Sequence, residues 1–315
     1  MCPAVSSTVV DSMSALRSAC WGALLLVGCA PRVPAPQPAP PPAQPPAERR
    51  YSVSEAMLEN GAIVVHVEIP PRPSGRKPAV LVNLNESNAL LDEGVIAVTY
   101  KIDWTKLPGA PPPPTPADQA GGGKWVLAAP TPRLVGEQFL RTIVATATLV
   151  VPKVIDFLLT LPEVDPARLA ITGASTNGFI ALQAISTEPR LSVAVAIAAC
   201  GDFFRFLRYS SMGMEGRPLD LDPDYASWLR AQQPIAHPQR LVHAALLMVN
   251  RTQDPIIPIA CADETERVLA PVYARSGFSR RFRYVRVTDA AGHGLAPRED
   301  AENRAWLRQW LLGKR

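Results

Sequence analysis

From about residue 60 the chain alternates short β-branched runs with longer amphipathic ones, and this alternation limits its fold more than any other feature. Ala62–Ile69 (AIVVHVEI) reads as a strand. Ala79–Leu84 and Val95–Tyr100 are near-continuous apolar runs, as expected of strands buried on both faces. Arg168–Thr172, Ser192–Ala199, Ala245–Asn250 and Phe282–Val287 read as further strands. Thr176–Ser186, Asp263–Arg275 and Glu299–Leu312 carry helical patterns. Leu134–Leu161 is also helical, with Pro152 as a kink or boundary. Its stretch Thr142–Leu159 is apolar enough for a membrane span, but Lys153, Asp156 and Pro152 within it favour a buried core helix. Strand–helix alternation predicts an α/β fold, with a mostly parallel central sheet and helices on both faces. Residues 202–238 break the rhythm as an insertion between two strands.

Composition locates what lies outside this pattern. The 34 prolines in 315 residues are about twice the usual share. Nine fall in the 16 residues 31–46 and six in the nine residues 108–116, so the other 290 residues hold 19, an ordinary density. Apolar residues at 47% and charged residues at 19% exclude a disordered chain, and 19 glycines exclude a collagen-like one. A chain of this length can bury roughly 70–75% of its unfolded surface.

The N-terminus reads as an address. Arg17 precedes a short apolar run, Ala19–Val27, that suits a secretory signal and is too short for a mature membrane helix. Met13 is a second candidate start, which would place Arg17 in a short basic region. The run ends in Leu26-Val27-Gly28-Cys29, which resembles the lipobox of bacterial lipoproteins. That resemblance implies cleavage after residue 28, lipidation of Cys29 and anchoring in the bacterial cell envelope, at the outer membrane or the periplasmic face. Ala30 in the following position points by the same resemblance to the outer membrane. Residues 29–50 would then be a stiff polyproline tether, and 51–315 the folded domain.

Two cysteines remain beyond that segment, Cys200 and Cys261. An oxidising compartment permits a disulfide between them, and two buried free thiols are the alternative. No CxxC or His/Cys cluster suggests a metal site, and no cofactor is expected. The net charge of +4 is dispersed, without the basic stripe of a nucleic-acid binder.

Three motifs at strand ends carry the chemistry. In the first, Gly173-Ala174-Ser175-Thr176-Asn177-Gly178 follows a strand and opens a helix. That context makes a nucleophile elbow, a sharp turn that exposes the serine Oγ above the sheet. In the second, Arg251-Thr252-Gln253-Asp254-Pro255-Ile256-Ile257-Pro258 follows the strand Ala245–Asn250. Asp254 there either orients a histidine or caps the next helix. In the third, Gly292-His293-Gly294 follows the last strand. His66, His237 and His243 lie in or before strands and read as structural.

Residues 155–185 resemble the α/β-hydrolase superfamily, in particular its dienelactone-hydrolase and prolyl-oligopeptidase-like esterases, whose elbow is G-x-S-x-G-G. Asn177 replaces the first downstream glycine. Glucuronoyl esterases also carry Asn there, but this chain has Thr176 and Phe179 where they have Arg and Lys. The second motif is similar to the superfamily's G-x-x-D-x-x-V-P loop, and the order Ser175, Asp254, His293 is the superfamily's order. The resemblance implies Ser175 as nucleophile, with Thr176 as a shifted-register alternative, His293 as general base and Asp254 as its orienting acid. One oxyanion donor would be the Thr176 N–H. The second would come from the loop after Ala79–Leu84, where the superfamily's His-Gly is absent and Asn85 or Glu86 stands instead.

These residues point to a serine hydrolase that cleaves carboxylic esters of small molecules. A peptidase is a second reading, without the propeller repeat that prolyl oligopeptidases carry, and an inactive binding protein on the same fold is a third. The insertion 202–238 holds Phe203, Phe204, Phe206, Tyr209, Met212, Met214 and Trp228. It suits a lid over an apolar acyl or alcohol group, or packing onto the sheet.

Overall fold

A computed structural model describes residues 52–71, 75–82, 91–109, 132–294 and 297–314. Arg49–Arg315 form one compact unit. The leader, Cys29 and the tether lie outside the described residues, as do Asn85 and Glu86.

The apolar runs form the strands that the alternation predicts. β2 (Ile63–Ile69), β3 (Lys77–Leu81) and β4 (Ile96–Ile102) come first. β5 (Val164–Ala174), β6 (Leu191–Ile197), β7 (Ala245–Gln253) and β8 (Phe282–Ala291) follow. One strand was not anticipated, β1 (Ser52–Leu58). It is an edge strand paired antiparallel with β2, with Val53 and Met57 54% and 71% exposed, so burial imposes no alternation on its sequence. The eight strands are ordered β1-β2-β4-β3-β5-β6-β7-β8. The β1–β2 and β2–β4 pairs are antiparallel and all later pairs parallel.

Helix α1 (Pro132–Ala145) continues through a π-helical segment, Thr146–Val150, into α2 (Val151–Leu158). Pro152 supplies the reason. It has no N–H and its ring crowds the carbonyl four residues back, so a widened turn lets the helix pass. Thr146 and Thr148 donate their hydroxyls to the carbonyls of Thr142 and Val144, both at 2.8 Å. Gly136–Leu158 is long and apolar enough to cross a membrane by length and composition alone. Here Val150, Val151, Val154, Ile155 and Leu158 are fully buried in the protein core. The charges within it have partners: Lys153 meets Glu59 at 2.6 Å, and Asp156 meets Arg190 at 2.5 Å.

Helix α3 (Thr176–Thr187) packs on β5 and β6. The insertion contains α4 (Phe203–Tyr209) and α5 (Pro223–Gln232). Asp202 caps α4 by accepting from the Arg205 N–H at 2.9 Å. Burial raises the Asp202 pKa, with Arg205 opposing and Glu264 adding to the shift. α6 (Ile259–Arg275) packs on β7 and β8, and α7 (Pro297–Trp310) on β6 and β7.

Two expectations resolve here. Phe203 and Phe206 do not line a pocket. They are fully buried, with Phe206 packed on Phe139 and Phe179 and Phe203 on Phe179, at centroid distances of 5.1–6.2 Å. Cys200 and Cys261 form a disulfide that ties the end of β6 to the start of α6. It closes a sequence separation of 61 residues, for which the chain-entropy model gives about 4 kcal/mol. A Cys200→Ala/Cys261→Ala variant should melt about 10 °C below wild type. Equal melting temperatures would reject a stabilising bridge.

Candidate active site

Ser175 occupies the tight turn between β5 and α3 with φ 57° and ψ −122°, a region that side chains other than glycine's rarely enter. The turn is held by its surroundings. The Ser175 N–H donates to the Ile197 carbonyl at 2.9 Å, and the Phe179 N–H donates to the Ser175 carbonyl at 3.0 Å. A Cβ on Gly178 would lie 2.4 Å from the Ile197 carbonyl oxygen. A Cβ on Gly173 would lie 2.4 Å from the Asn177 Cβ. Asn177 therefore does not crowd the elbow, because the bare Gly173 leaves room for it. Asn177 and Thr172 border a small recess with Leu81, Val82 and Tyr100. Burial holds the Tyr100 phenol well above its usual pKa.

Asp254 is the first residue after β7, and His293 the second after β8. The Asp254 side chain is 1% exposed. Its Oδ1 accepts the N–H groups of Ile256 and Ile257 at 2.8 and 3.0 Å. Its Oδ2 lies 2.8 Å from His293 Nδ1, and His293 Nε2 lies 2.8 Å from Ser175 Oγ. Asp254 does not cap α6, whose N-cap is Pro258 with no side-chain cap; one of its oxygens fixes its own loop and the other meets the histidine. With Nδ1–H donating to Asp254, Nε2 is free to accept the serine proton.

Thr176 opens α3, so its N–H has no intrahelical acceptor and lies next to the Ser175 Oγ in the chain. Among the other histidines, His66 pairs with Glu55 at 3.2 Å, and His237 and His243 meet the carbonyls of Ala231 and Arg240 at 3.1 and 2.8 Å. Among the described residues no group of three or more His, Cys, Asp or Glu side chains could hold a metal.

Further polar residues around the site escaped the sequence reading. Arg251 on β7 pairs with Glu299 in the first turn of α7 at 2.6 Å, and its Nη1 also reaches the Gly292 carbonyl at 3.4 Å. Thr172, three residues before Ser175, donates to Asn303 Oδ1 of α7 at 3.0 Å. The first pair joins residues 48 apart and the second residues 131 apart, distances that no local pattern spans. The insertion is fastened to the acid loop: Ser210 Oγ donates to the Ile256 carbonyl at 2.6 Å, and the Ser211 N–H to the Pro255 carbonyl at 3.1 Å. A separate cleft of about 270 Å³ lies against α1, the π-helical segment and α5, lined by Arg141, Thr148, Leu149 and Trp228. The Arg141 guanidinium rests over the rings of Tyr225 and Trp228, at 4.7 and 4.9 Å.

The strand order, the elbow and the positions of these side chains at the C-terminal strand ends define the α/β-hydrolase fold. No family model and no curated protein sequence matches the chain. Solved structures do. A puromycin-hydrolysing peptidase of Mycobacterium tuberculosis superposes with a TM-score of 0.57 at 17% identity, over 84% of this chain and 40% of its own. Pyrococcus horikoshii acylaminoacyl peptidase gives 0.56 at 14% identity, over 84% and 42%. The 2,6-dihydroxy-pseudo-oxynicotine hydrolase gives 0.52 at 19% identity, over 84% and 69%. The chain thus spans about two fifths of the length of the two peptidases.

Holding a non-glycine residue at the Ser175 backbone angles costs on the order of 1 kcal/mol or more. Ser175→Gly should therefore melt a few degrees above wild type. A lower melting temperature would show that the turn is not strained.

Proposed function

We propose that the chain is a serine hydrolase that cleaves carboxylic esters through an acyl-enzyme. The observation that carries this reading is the continuous line of contacts Ser175–His293–Asp254, each 2.8 Å, at the ends of β5, β8 and β7. In the first half-reaction His293 Nε2 takes the Ser175 proton as Oγ attacks the ester carbonyl carbon. Asp254 stabilises the imidazolium that forms. The tetrahedral intermediate carries its charge on the former carbonyl oxygen, opposite the Thr176 N–H. Its collapse expels the alcohol, which leaves with the proton from His293. Water then repeats the sequence on the acyl-Ser175 ester, releasing the acid and restoring the serine.

A peptidase is the second reading, favoured by the likeness to the two peptidases. The same residues would serve, with His293 protonating an amine. An inactive binding role is disfavoured by the continuous line of contacts, since a binding protein has no need for it. We further propose display in the bacterial cell envelope through lipidated Cys29, with the proline-rich residues behind it as spacer and the insertion 202–238 as one wall of the substrate site.

A fluorophosphonate probe should label wild type and leave Ser175→Ala unlabelled, and absence of labelling in both would reject the hydrolase reading. Asp254→Asn should lower kcat about 10³- to 10⁴-fold on a short p-nitrophenyl ester. A kcat within tenfold of wild type would remove Asp254 from the mechanism. Turnover of p-nitrophenyl esters without turnover of X-Pro amides is expected, and the reverse preference would establish the peptidase. A clickable fatty acid fed to expressing cells should label wild type and spare Cys29→Ala, whereas equal labelling would overturn the anchor.

A further inference from the structure

We propose that the buried Arg251–Glu299 pair positions the His293 imidazole, an inference that rests on the serine-hydrolase reading. Arg251 stands on β7 three residues before Asp254, and Glu299 stands in α7 six residues after His293. The pair thus brackets the loop that carries the proposed base. Arg251 Nε donates to Glu299 Oε1 at 2.6 Å, with the two side chains only 10% and 1% exposed. Arg251 Nη1 reaches the Gly292 carbonyl at 3.4 Å, while the Gly292 N–H donates to the Gln253 carbonyl at 3.0 Å. The residue before His293 is therefore tied to β7 through both its N–H and its C=O.

The need for such a tie follows from the loop itself. His293 lies between two glycines, the weakest local brace a side chain can have. Asp254 and Ser175 orient the ring from its two nitrogens, and neither fixes the backbone from which it hangs. A guanidinium is suited to the task because its planar fork can serve a carboxylate and a carbonyl at once. Stability does not account for the pair, since an apolar pair of similar volume often packs as well in such a place. Position 251 is also the glycine of the G-x-x-D-x-x-V-P pattern that this loop resembles, so the arginine is an addition to that pattern. The hydrogen bond from Thr172 to Asn303 holds the same helix, α7, to the strand that ends at Ser175. Glu299 thereby anchors Arg251 to an element already registered on the nucleophile's strand.

The test separates positioning from support of the fold. Arg251→Met and Glu299→Met each remove one member of a buried ion pair and should lower the melting temperature by roughly 10 °C. The double variant removes both charges and should recover to within about 5 °C of wild type. Its kcat on a p-nitrophenyl ester should nevertheless stay about 10- to 100-fold low, with KM within about threefold, because Gly292 has lost its tie. Arg251→Lys keeps the charge pair but lacks the planar fork that reaches Glu299 and Gly292 from two nitrogens, and its kcat should fall about tenfold with little change in melting temperature. A readout that needs no turnover is the downfield proton resonance of His293 Nδ1–H, expected sharp in wild type and exchanged away in the double variant. A double variant with wild-type stability and kcat within twofold of wild type overturns the proposal, as does wild-type kcat in Arg251→Lys. A raised KM at unchanged kcat would assign the pair to substrate binding instead, which also overturns it. Loss of the His293 resonance in a protein that no fluorophosphonate labels would sink the hydrolase reading and leave the positioning role standing. An unchanged resonance in every variant overturns the positioning role whatever the activity.

Discussion

The first turn of α3 lies so close to the ends of β5 and β6 that neither Gly173 nor Gly178 has room for a methyl group. That approach forces Ser175 into its positive-φ conformation and aims Oγ away from the helix, out over the strand ends. The rest of the upper face is arranged to hold it there. Ile197 of β6 accepts the serine's own N–H, and the Phe179 side chain, one turn on, sits in the aromatic cluster with Phe139, Phe203 and Phe206. Strain at one residue persists because a packed core over-determines its position.

The histidine is held on different terms. Ser175 sits at a junction of strand and helix, while His293 sits on a glycine-flanked loop beyond the last strand. Packing cannot fix such a loop, and polar contacts take over. Asp254 divides its two oxygens between its own loop and the ring. Arg251, paired with Glu299, reaches the Gly292 carbonyl of that loop, and Thr172 and Asn303 register α7 on β5. Each of these groups is buried and satisfied, the condition under which a polar network specifies one arrangement.

What was legible in the sequence follows the same division. Runs such as Ser192–Ala199 and Ala245–Asn250 read as strands because burial on both faces leaves no other composition open to them. Ser175, Asp254 and His293 were legible because each sits in a recognisable motif three to six residues after such a run, within two residues of the end of the strand that forms there. The edge strand β1 was not, since an exposed strand carries no burial pattern to read. Arg251 and Glu299 were not, because their partnership exists only once β7 and α7 meet. Pro152 signalled a break in the long helix, but whether the chain would kink or widen its turn depended on packing against α3. The cysteines left both a bridge and free thiols open, and only the approach of α6 to the end of β6 decides between them.

The insertion illustrates why composition alone misplaces selectivity. Its aromatic content left open an apolar pocket or packing onto the sheet, and Phe203 and Phe206 follow the second course into the core beneath it. A fully buried ring cannot touch a substrate, so whatever the insertion contributes to recognition falls to its partly exposed side chains, among them Met212, Met214 and Trp228. Trp228 already holds Arg141 in a cleft that shares no lining residue with Ser175, His293 or Asp254. The link between insertion and chemistry is instead Ser210 and Ser211, which bond the acid loop at Pro255 and Ile256, beside Asp254. Movement of the insertion would therefore reach first the loop whose carboxylate bonds His293.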